Sequence, residues 1–368
     1  MSATVAPSPS SGRIARVTPR SPVRVMLVDD SIVVRSILER ILATDGRFEV
    51  VASCARAEDA LRFLEREQAD VALLDLEMPG MHGVDAIPAF LRSAPSMRIL
   101  ILSANCASEG AMAVEALARG AHETLLKPGG GATFAGSFST ILTSRLLALS
   151  ETVVAPAPVR DPPAGEVAHL QPFSAIGIGG STGGIAALHA VLAELPRDLA
   201  CPLFVTQHLP ASFVSFFADQ LSRATGRDVA IADDAMPVEP NRIYVANGES
   251  HLRVVQSTRG VRIILDRQPA PTGITPSVDP MLASLGHVYG ASTLGVILSG
   301  MGRDGLIGAQ SLRASGGQLI AQDSASSVVW GMPGAVVAAG LAQASLAPQD
   351  IGIAIARSVA LKAYGAAA

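Results

Sequence analysis

The segment Gly179-Gly180-Ser181-Thr182-Gly183 places one serine in a glycine-rich turn between an apolar run and a helical pattern. It fits G-x-S-x-G, a strand-to-helix turn that holds a serine hydroxyl clear of the backbone for attack. A hydroxyl attacks only when a base takes its proton and another group orients that base. Ser181 therefore needs a histidine and an orienting partner. The same glycines also fit a phosphate-binding turn.

His208 is the histidine best placed to act as the base. It lies in a Gln-His-Leu-Pro segment, directly after an apolar strand predicted for residues 203–206. Because reactive groups of an open parallel sheet gather at the carboxyl ends of its strands, we expect His208 and Ser181 at one edge. The other histidines lie inside a predicted helix, in another part of the chain or away from such a strand end.

Three aspartates compete for the role of orienting the base. Asp304 lies in Gly-Met-Gly-Arg-Asp-Gly, directly after an apolar strand predicted for residues 293–298. Asp279 lies in Pro-Ser-Val-Asp and Asp323 in Gln-Asp-Ser, where they also fit a helix cap and a turn. Glycines on both sides of Asp304 allow close backbone approach and free amides toward an oxyanion. We therefore predict Asp304 as the partner of the histidine.

A separate group of polar residues follows the strands of the N-terminal half. Two aspartates follow the first strand, one the third, and a serine and a lysine follow the fourth and fifth: Asp29, Asp30, Asp75, Ser103 and Lys127. Three converging carboxylates suit Mg²⁺, which binds one or two carboxylates and keeps waters and phosphate oxygens. An aspartate beside Mg²⁺ and a lysine is equipped to accept a phosphoryl group. Each residue alone also fits a cap or a solvated loop charge.

Strands alternate with helices in both halves of the chain, which predicts parallel sheets packed between helices. A segment rich in Pro and Ala separates the two halves. The predicted fold class is therefore α/β, with two doubly wound parallel-sheet domains. The predicted ranges are 1–22 for a flexible N-terminal tail, 23–150 for the first domain, 151–172 for a linker and 173–368 for the second domain.

The composition argues against several functional classes. Hydrophobic residues make up 49% of the 368 residues, charged residues 16%, and the net charge is −4. No basic patch indicates nucleic-acid binding, and no apolar run approaches the roughly 18–20 residues that span a membrane. Three cysteines without metal-ligand spacing, and an N-terminus without the apolar core of a secretion signal, favour a reduced, cytoplasmic location.

The N-terminal half resembles the receiver domain of bacterial response regulators. The motifs are Val-Asp-Asp-Ser, Leu-Asp-Leu-Glu-Met-Pro-Gly-Met, the serine after the fourth strand and Lys-Pro after the fifth. The resemblance implies that Asp75 is the phosphoacceptor, with Asp29 and Asp30 beside it around Mg²⁺. It also implies that Ser103 and Lys127 respond to the phosphoryl group, and that a chemosensory histidine kinase is the phosphodonor.

The C-terminal half resembles the catalytic domain of CheB-type methylesterases, the receptor glutamate methylesterases of chemotaxis. The motifs, in order, are Gly-Gly-Ser-Thr-Gly-Gly, Gln-His-Leu-Pro, Pro-Ser-Val-Asp, Ser-Gly-Met-Gly-Arg-Asp-Gly and Gln-Asp-Ser-Ala-Ser-Ser-Val-Val-Trp-Gly-Met-Pro. The resemblance implies Ser181 as nucleophile, His208 as base and Asp304 as its orienter. The Met301 amide would be an oxyanion donor and Thr182 a supporting contact.

This resemblance implies phosphorylation-regulated hydrolysis of glutamate γ-methyl esters on cytoplasmic helices of methyl-accepting chemoreceptors. Deamidation of selected glutamines would be a second reaction, and the esterase site would need no metal or other cofactor. The linker lets the receiver lie over Ser181, so we expect autoinhibition that phosphorylation of Asp75 relieves.

Three segments depart from the family patterns. Thr124 stands where receivers usually carry Phe or Tyr, Ala-Asn-Gly at 246–248 replaces Ala-Pro-Gly, and Pro-Thr-Gly-Ile-Thr at 271–275 replaces a stretch rich in Asn, His and Arg. Two other functions stay open. A nucleotide-binding protein is disfavoured because the next strand ends in Gln-His, where a ribose needs an acidic residue. A non-catalytic output module is disfavoured by the complete Ser, His and Asp set.

Overall fold

The computed structural model describes residues 21–103, 107–128, 136–150 and 170–365. Within these ranges the chain forms two separate parallel sheets with helices between their strands, so the predicted α/β class is confirmed. Most of the predicted N-terminal tail and most of the predicted linker lie outside the described residues. The domain ranges therefore stay predictions.

The N-terminal sheet has five parallel strands in the order β2-β1-β3-β4-β5. Successive side chains of a strand point to opposite faces. Val25 and Leu27 accordingly enter one apolar cluster, and Met26 and Val28 enter another on the other face. The elements are β1 (Val23–Val28), α1 (Ile32–Ala43), β2 (Phe48–Cys54), α2 (Ala57–Leu64), β3 (Val71–Asp75), α3 (Gly83–Ser93), β4 (Arg98–Ser103), α4 (Ala107–Ala118), β5 (Glu123–Leu126) and α5 (Ser137–Ser150).

The C-terminal sheet has seven parallel strands in the order β14-β13-β12-β6-β7-β9-β8. After β6, the chain first adds the strands β7, β8 and β9 on one side of β6. It then adds β12, β13 and β14 on the other side of β6. Ligands bind where the strand order reverses in this way, so the loops after β6 and β12 occupy the expected place for a site. The first elements are β6 (Ala175–Gly180), α6 (Gly184–Ala193), β7 (Leu203–Gln207), α7 (Ala211–Thr225), β8 (Asp228–Ile231) and β9 (Arg242–Val245).

An antiparallel hairpin interrupts this alternation and was not expected from the sequence. Leu252 and Val254 on one strand and Ile263 on the other are buried in the same apolar cluster as the first helix after the hairpin. The remaining elements are β10 (His251–Ser257), β11 (Gly260–Asp266), α8 (Val278–Tyr289), a short 3-10 turn (Gly290–Ser292), β12 (Thr293–Ile297), α9 (Leu306–Ala314), β13 (Gln318–Gln322), α10 (Met332–Ala338), β14 (Ala344–Leu346) and α11 (Pro348–Gly365).

The two domains are in close contact. Helix α4 of the first packs on α7 of the second, and a Cβ added at Gly110 would lie 2.8 Å from the ring of Phe216. The side-chain amide of Gln220 donates to the carbonyl of Val114 at 3.2 Å. One apolar cluster therefore runs through residues of both domains. Within the described ranges, no helix has the length and apolarity needed to cross a membrane.

Candidate active site

Backbone contacts hold the turn that carries Ser181. Its amide donates to the carbonyl of Ser299 at 3.0 Å, and its carbonyl accepts from the side-chain amide of Gln207 at 2.7 Å. The turn ends at Gly183, whose φ of +74° favours glycine, and a Cβ there would lie 2.5 Å from Val328. These contacts use the backbone of Ser181 and not its hydroxyl, so the hydroxyl is available for chemistry.

The structure pairs His208 with Asp304. The His208 amide donates to the carbonyl of Gly180 at 3.0 Å, which ties the histidine to the end of β6. The Nε2 of its ring lies 2.8 Å from Oδ2 of Asp304. Because an ionised carboxylate only accepts, Nε2 carries the hydrogen and Nδ1 of the neutral ring keeps the lone pair. His208 and Ser181 line the same cavity, so Nδ1 is the nitrogen that can serve the hydroxyl.

Asp304 is fully buried and hydrogen-bonded on both oxygens. The Ser277 hydroxyl donates to Oδ1 at 2.6 Å, and the Val278 amide donates to Oδ2 at 2.7 Å. Burial by itself raises the pKa of a carboxyl. The bonds and charge from His208, with those from Ser277 and Val278, outweigh it and hold the pKa of Asp304 below its usual value. Asp304 is therefore the ionised partner that an imidazole donor needs.

Among the described contacts, neither rival aspartate bonds to His208, although Asp279 lies beside Asp304. Asp279 accepts from the amide of Gly308 at 2.7 Å, and burial raises its pKa to about 6. Asp323 accepts from the amide of Ser326 at 2.9 Å in a surface turn, as the alternative interpretation of that residue predicted. The geometry thus favours Asp304 over both.

The loop after β12 lies against the nucleophile. Its Gly300 pairs with the segment that follows β13, and a Cβ added at Gly300 would lie 2.8 Å from Cβ of Ser181. The next residue, Met301, lines a small cavity together with Thr182. The residues predicted as the oxyanion donor and its supporting contact, Met301 and Thr182, therefore lie close to each other.

The predicted phosphorylation residues also converge. Carboxylate oxygens of Asp29, Asp30 and Asp75 all lie within 4.8 Å of one another. The ammonium of Lys127 is 3.1 Å from Asp29 and 2.9 Å from Asp75. Burial raises the pKa of Asp75 to about 6, against the lowering effect of Lys127. A group of oxygen ligands with more negative than positive charge, in which Asp29 and Asp75 are buried and Asp30 is exposed, fits Mg²⁺.

Two buried hydroxyls, Ser103 Oγ on β4 and Thr124 Oγ1 on β5, have no hydrogen-bond partner among the described residues. Ser103 ends β4, and its carbonyl accepts from the Lys127 amide at 2.7 Å. An unsatisfied hydroxyl beside a phosphoacceptor can turn toward a phosphoryl oxygen at little cost. The role of Ser103 stays a prediction.

Comparison with known proteins identifies both halves. The profile of the CheB methylesterase family matches residues 176–355, and that of the response regulator receiver domain matches residues 25–135. A protein-glutamate methylesterase/protein-glutamine glutaminase of Azospirillum brasilense is 38% identical over 360 residues, covering 90% of this chain and 91% of the relative. The chain belongs to the CheB methylesterase family. The predicted hydrolase with a receiver domain is thereby confirmed.

A second relative agrees with this assignment. A protein of the same name from the group 2 operon of Bradyrhizobium diazoefficiens is 37% identical, covering 91% of this chain and 94% of the relative. The crystal structure of the CheB methylesterase catalytic domain of Thermotoga maritima is 33% identical, with a TM-score of 0.49, and covers 50% of this chain and 98% of that chain. The roles of individual residues stay predictions.

The sequence predicted that the receiver lies over Ser181, but it did not predict which residues make the contact. The Thr182 hydroxyl donates to Oε2 of Glu123, whose other oxygen is 2.7 Å from the guanidinium of Arg145. The amide of Gly183 donates to the carbonyl of His122 at 2.8 Å. The sequence around these residues does not mark them as interface residues. Their contact depends on how two separately folded domains pack against each other.

Two further residues of the candidate site lie in the sequence motifs, although the motifs alone do not predict a role for them. Gln207 precedes the histidine in Gln-His-Leu-Pro and binds the Ser181 carbonyl. Ser277 lies in Pro-Ser-Val-Asp and binds Asp304. The motif itself was the available signal, since polar residues next to a predicted catalytic group often position it.

Proposed function

We propose that the chain hydrolyses glutamate γ-methyl esters on cytoplasmic helices of chemoreceptors, with Ser181 as nucleophile, His208 as base and Asp304 as its orienter. The observation that carries this proposal is the His208–Asp304 pair at 2.8 Å, which opens onto the cavity lined by Ser181. The names of the relatives from Azospirillum and Bradyrhizobium supply the substrate class.

The geometry supports an acyl-transfer mechanism. Ser181 Oγ attacks the ester carbonyl carbon while Nδ1 of His208 takes its proton. The Met301 amide donates to the developing oxyanion, with Thr182 in support. His208 then returns the proton to the leaving methoxide, and methanol departs. Water, activated by the same nitrogen, releases glutamate from Ser181. A glutamine side chain passes through the same intermediate and loses ammonia, which accounts for the second reaction.

Methanol release from receptor helices tests the substrate assignment. Full-length chain with a small phosphodonor is expected to release methanol from methyl-esterified receptor fragments and to leave glutamate at those positions. Mass spectrometry of the fragment checks each site. Wild-type protein that binds the helix but releases neither methanol nor ammonia would instead support the non-catalytic output module.

We propose that the receiver controls the rate of this reaction. We also propose that the protein acts in the cytoplasm. Asp75 would accept a phosphoryl group from a chemosensory histidine kinase, with Asp29 and Asp30 joining it around Mg²⁺. The bound cation would neutralise charge on the transferred oxygens, and Lys127 supplies a fixed positive charge beside them. Ser103 would bond to the new phosphoryl group.

Contacts at the domain interface support autoinhibition. The receiver residues His122 and Glu123 bond to the two residues directly after Ser181. The cavity between them and Ser181 leaves room for about one water molecule, far less than a helix needs. Substrate entry therefore requires the receiver to move. A tenfold activation corresponds to only about 1.4 kcal/mol, which one phosphoryl group of about −1.5 to −2 charge can supply.

Glu123→Ala is expected to raise the activity of the unphosphorylated full chain about tenfold, because it removes a carboxylate that binds both Thr182 and Arg145. A fragment starting near Gln171 is expected to be at least as active. Asp75→Asn should stay at the low rate with or without phosphodonor. Initial rates of methanol release check all three.

Glu67→Ala is the matched control for Glu123→Ala. Glu67 is an exposed receiver glutamate that pairs with Arg24 at 3.1 Å, next to β1 rather than β5. Its removal should leave the basal rate unchanged. Equal rates for wild type, Glu123→Ala and the fragment would rule out autoinhibition through this contact.

A further inference from the structure

The hydroxyl of Ser277 binds the carboxylate that holds the proposed base, from the N-terminus of helix α8. We propose that Ser277 is a positioning residue for ester hydrolysis, acting through Asp304 on His208. This inference rests on the proposed function, because it takes Asp304 as the orienter of the base.

The donors around Asp304 leave its carboxylate one orientation. Oδ1 accepts from Ser277 at 2.6 Å, while Oδ2 accepts both from the Val278 amide at 2.7 Å and from His208 at 2.8 Å. Without the bond to Oδ1, the carboxylate could rotate about its terminal torsion, which is broad for aspartate. Because Asp304 is fully buried, water is poorly placed to replace the missing donor.

Ser277 is itself held on two sides. Its hydroxyl oxygen accepts from the Asp279 amide at 3.2 Å as the cap of α8, so the hydroxyl hydrogen is free to point at Asp304. Its backbone amide donates to Nδ1 of His251 at 2.9 Å. The other ring nitrogen of His251 lies 2.9 Å from the carbonyl of Gln268, so it is the protonated one. The line of bonds runs from His251 through Ser277 and Asp304 to His208.

The charge of the site makes this donor important. Asp279 and Asp304 are neighbouring buried carboxyls that affect each other's ionisation. Of the two, Asp304 must be the ionised one, since it accepts from His208. Ser277 donates to Asp304 and not to Asp279, and this bond lowers the pKa of Asp304. Ser277 therefore helps Asp304 to stay ionised in mild acid, where Asp279 loses its charge.

A positioning role predicts an effect on kcat alone. Ser277 is fully buried and does not line the cavity that contains Ser181 and His208, so its loss is expected to leave KM unchanged. Ser277→Gly removes the hydroxyl but retains most of the capping preference, since glycine is tolerated at that position. We expect kcat of the phosphodonor-treated full chain to fall about 10- to 100-fold, the usual effect of a lost bond to a charged group. Ser277→Ala should give the same loss of kcat. Ser277→Thr, which retains a hydroxyl, should keep the wild-type kcat.

Ser284→Ala is the matched control. Ser284 is another buried serine of α8, and its hydroxyl donates to the Met281 carbonyl and accepts from the Val254 amide. Its removal should lower the melting temperature without lowering kcat. The proposal would be overturned if Ser284→Ala lost as much kcat as Ser277→Gly. It would also be overturned if both Ser277→Gly and Ser277→Ala kept wild-type kcat, or if Ser277→Thr lost kcat.

His208→Ala separates this inference from the proposed function. If His208→Ala is inactive while both Ser277 truncations keep wild-type kcat, the catalytic residues stand and the positioning role is wrong. If His208→Ala is as active as wild type, the proposed mechanism itself fails, and the positioning role fails with it.

Discussion

Ser181→Ala is expected to lower kcat of ester hydrolysis by about 10⁶-fold, the scale of loss when a serine nucleophile is removed. The fold should persist, because the turn is held through the backbone of Ser181, by Ser299 and Gln207. Methanol release under single-turnover conditions measures the rate, and the melting temperature measures the fold.

The control for this substitution is another serine of the same domain. Ser222 donates to the Arg227 carbonyl at the end of α7, away from the catalytic turn. Ser222→Ala should keep wild-type kcat. If Ser181→Ala retained more than a small fraction of wild-type activity, the hydroxyl would not be the nucleophile, and water attack at this edge would replace covalent catalysis.

Asp304→Asn is expected to lower kcat by about 10⁴-fold, because an amide group can donate to the imidazole and favour the wrong tautomer. The oxyanion donors remain, so weak activity over the uncatalysed rate should persist. Asp279→Asn should stay close to wild type, since its oxygen can still accept from Gly308. Its pKa of about 6 also means that Asp279 loses its charge in mild acid, a state that asparagine imitates.

Comparing these two variants decides the carboxylate assignment. Both substitutions remove one buried carboxylate and change the volume equally little, so they form a matched pair. Measuring kcat and the melting temperature of each separates chemistry from folding. An active Asp304→Asn together with an inactive Asp279→Asn would transfer the orienting role to Asp279.

Most strand positions in both domains could be predicted because buried parallel strands are short apolar runs between helices. The two short edge strands of the second sheet, β8 and β14, were not predicted. The expected edge for Ser181, His208 and Asp304 followed from the same rule, since carboxyl ends of parallel strands share an edge. The hairpin of β10 and β11 could not be placed in this way. Its strands are half-exposed, and they pack on α8 rather than joining either parallel sheet.

Contacts across the domain interface could not be predicted from the sequence. Glu123 and Thr182 are 59 residues apart, and each lies in a segment fully explained by its own domain. The bond between Ser277 and Asp304 is similar, because it depends on how the start of α8 meets the loop after β12. Motifs identify the residues of such a site, but packing decides which atoms meet.

Strand β5 joins the residues of the predicted phosphorylation site to the turn that carries Ser181. It has four residues, or about 13 Å of extended backbone. Glu123, which contacts Thr182, begins it, and Lys127, which contacts Asp75, directly follows it. The proposed phosphorylation site and the turn that carries Ser181 are thus joined by one short segment of backbone. Under the proposed function, a substitution within β5 is expected to change both the response to phosphorylation and the rate of the unphosphorylated chain.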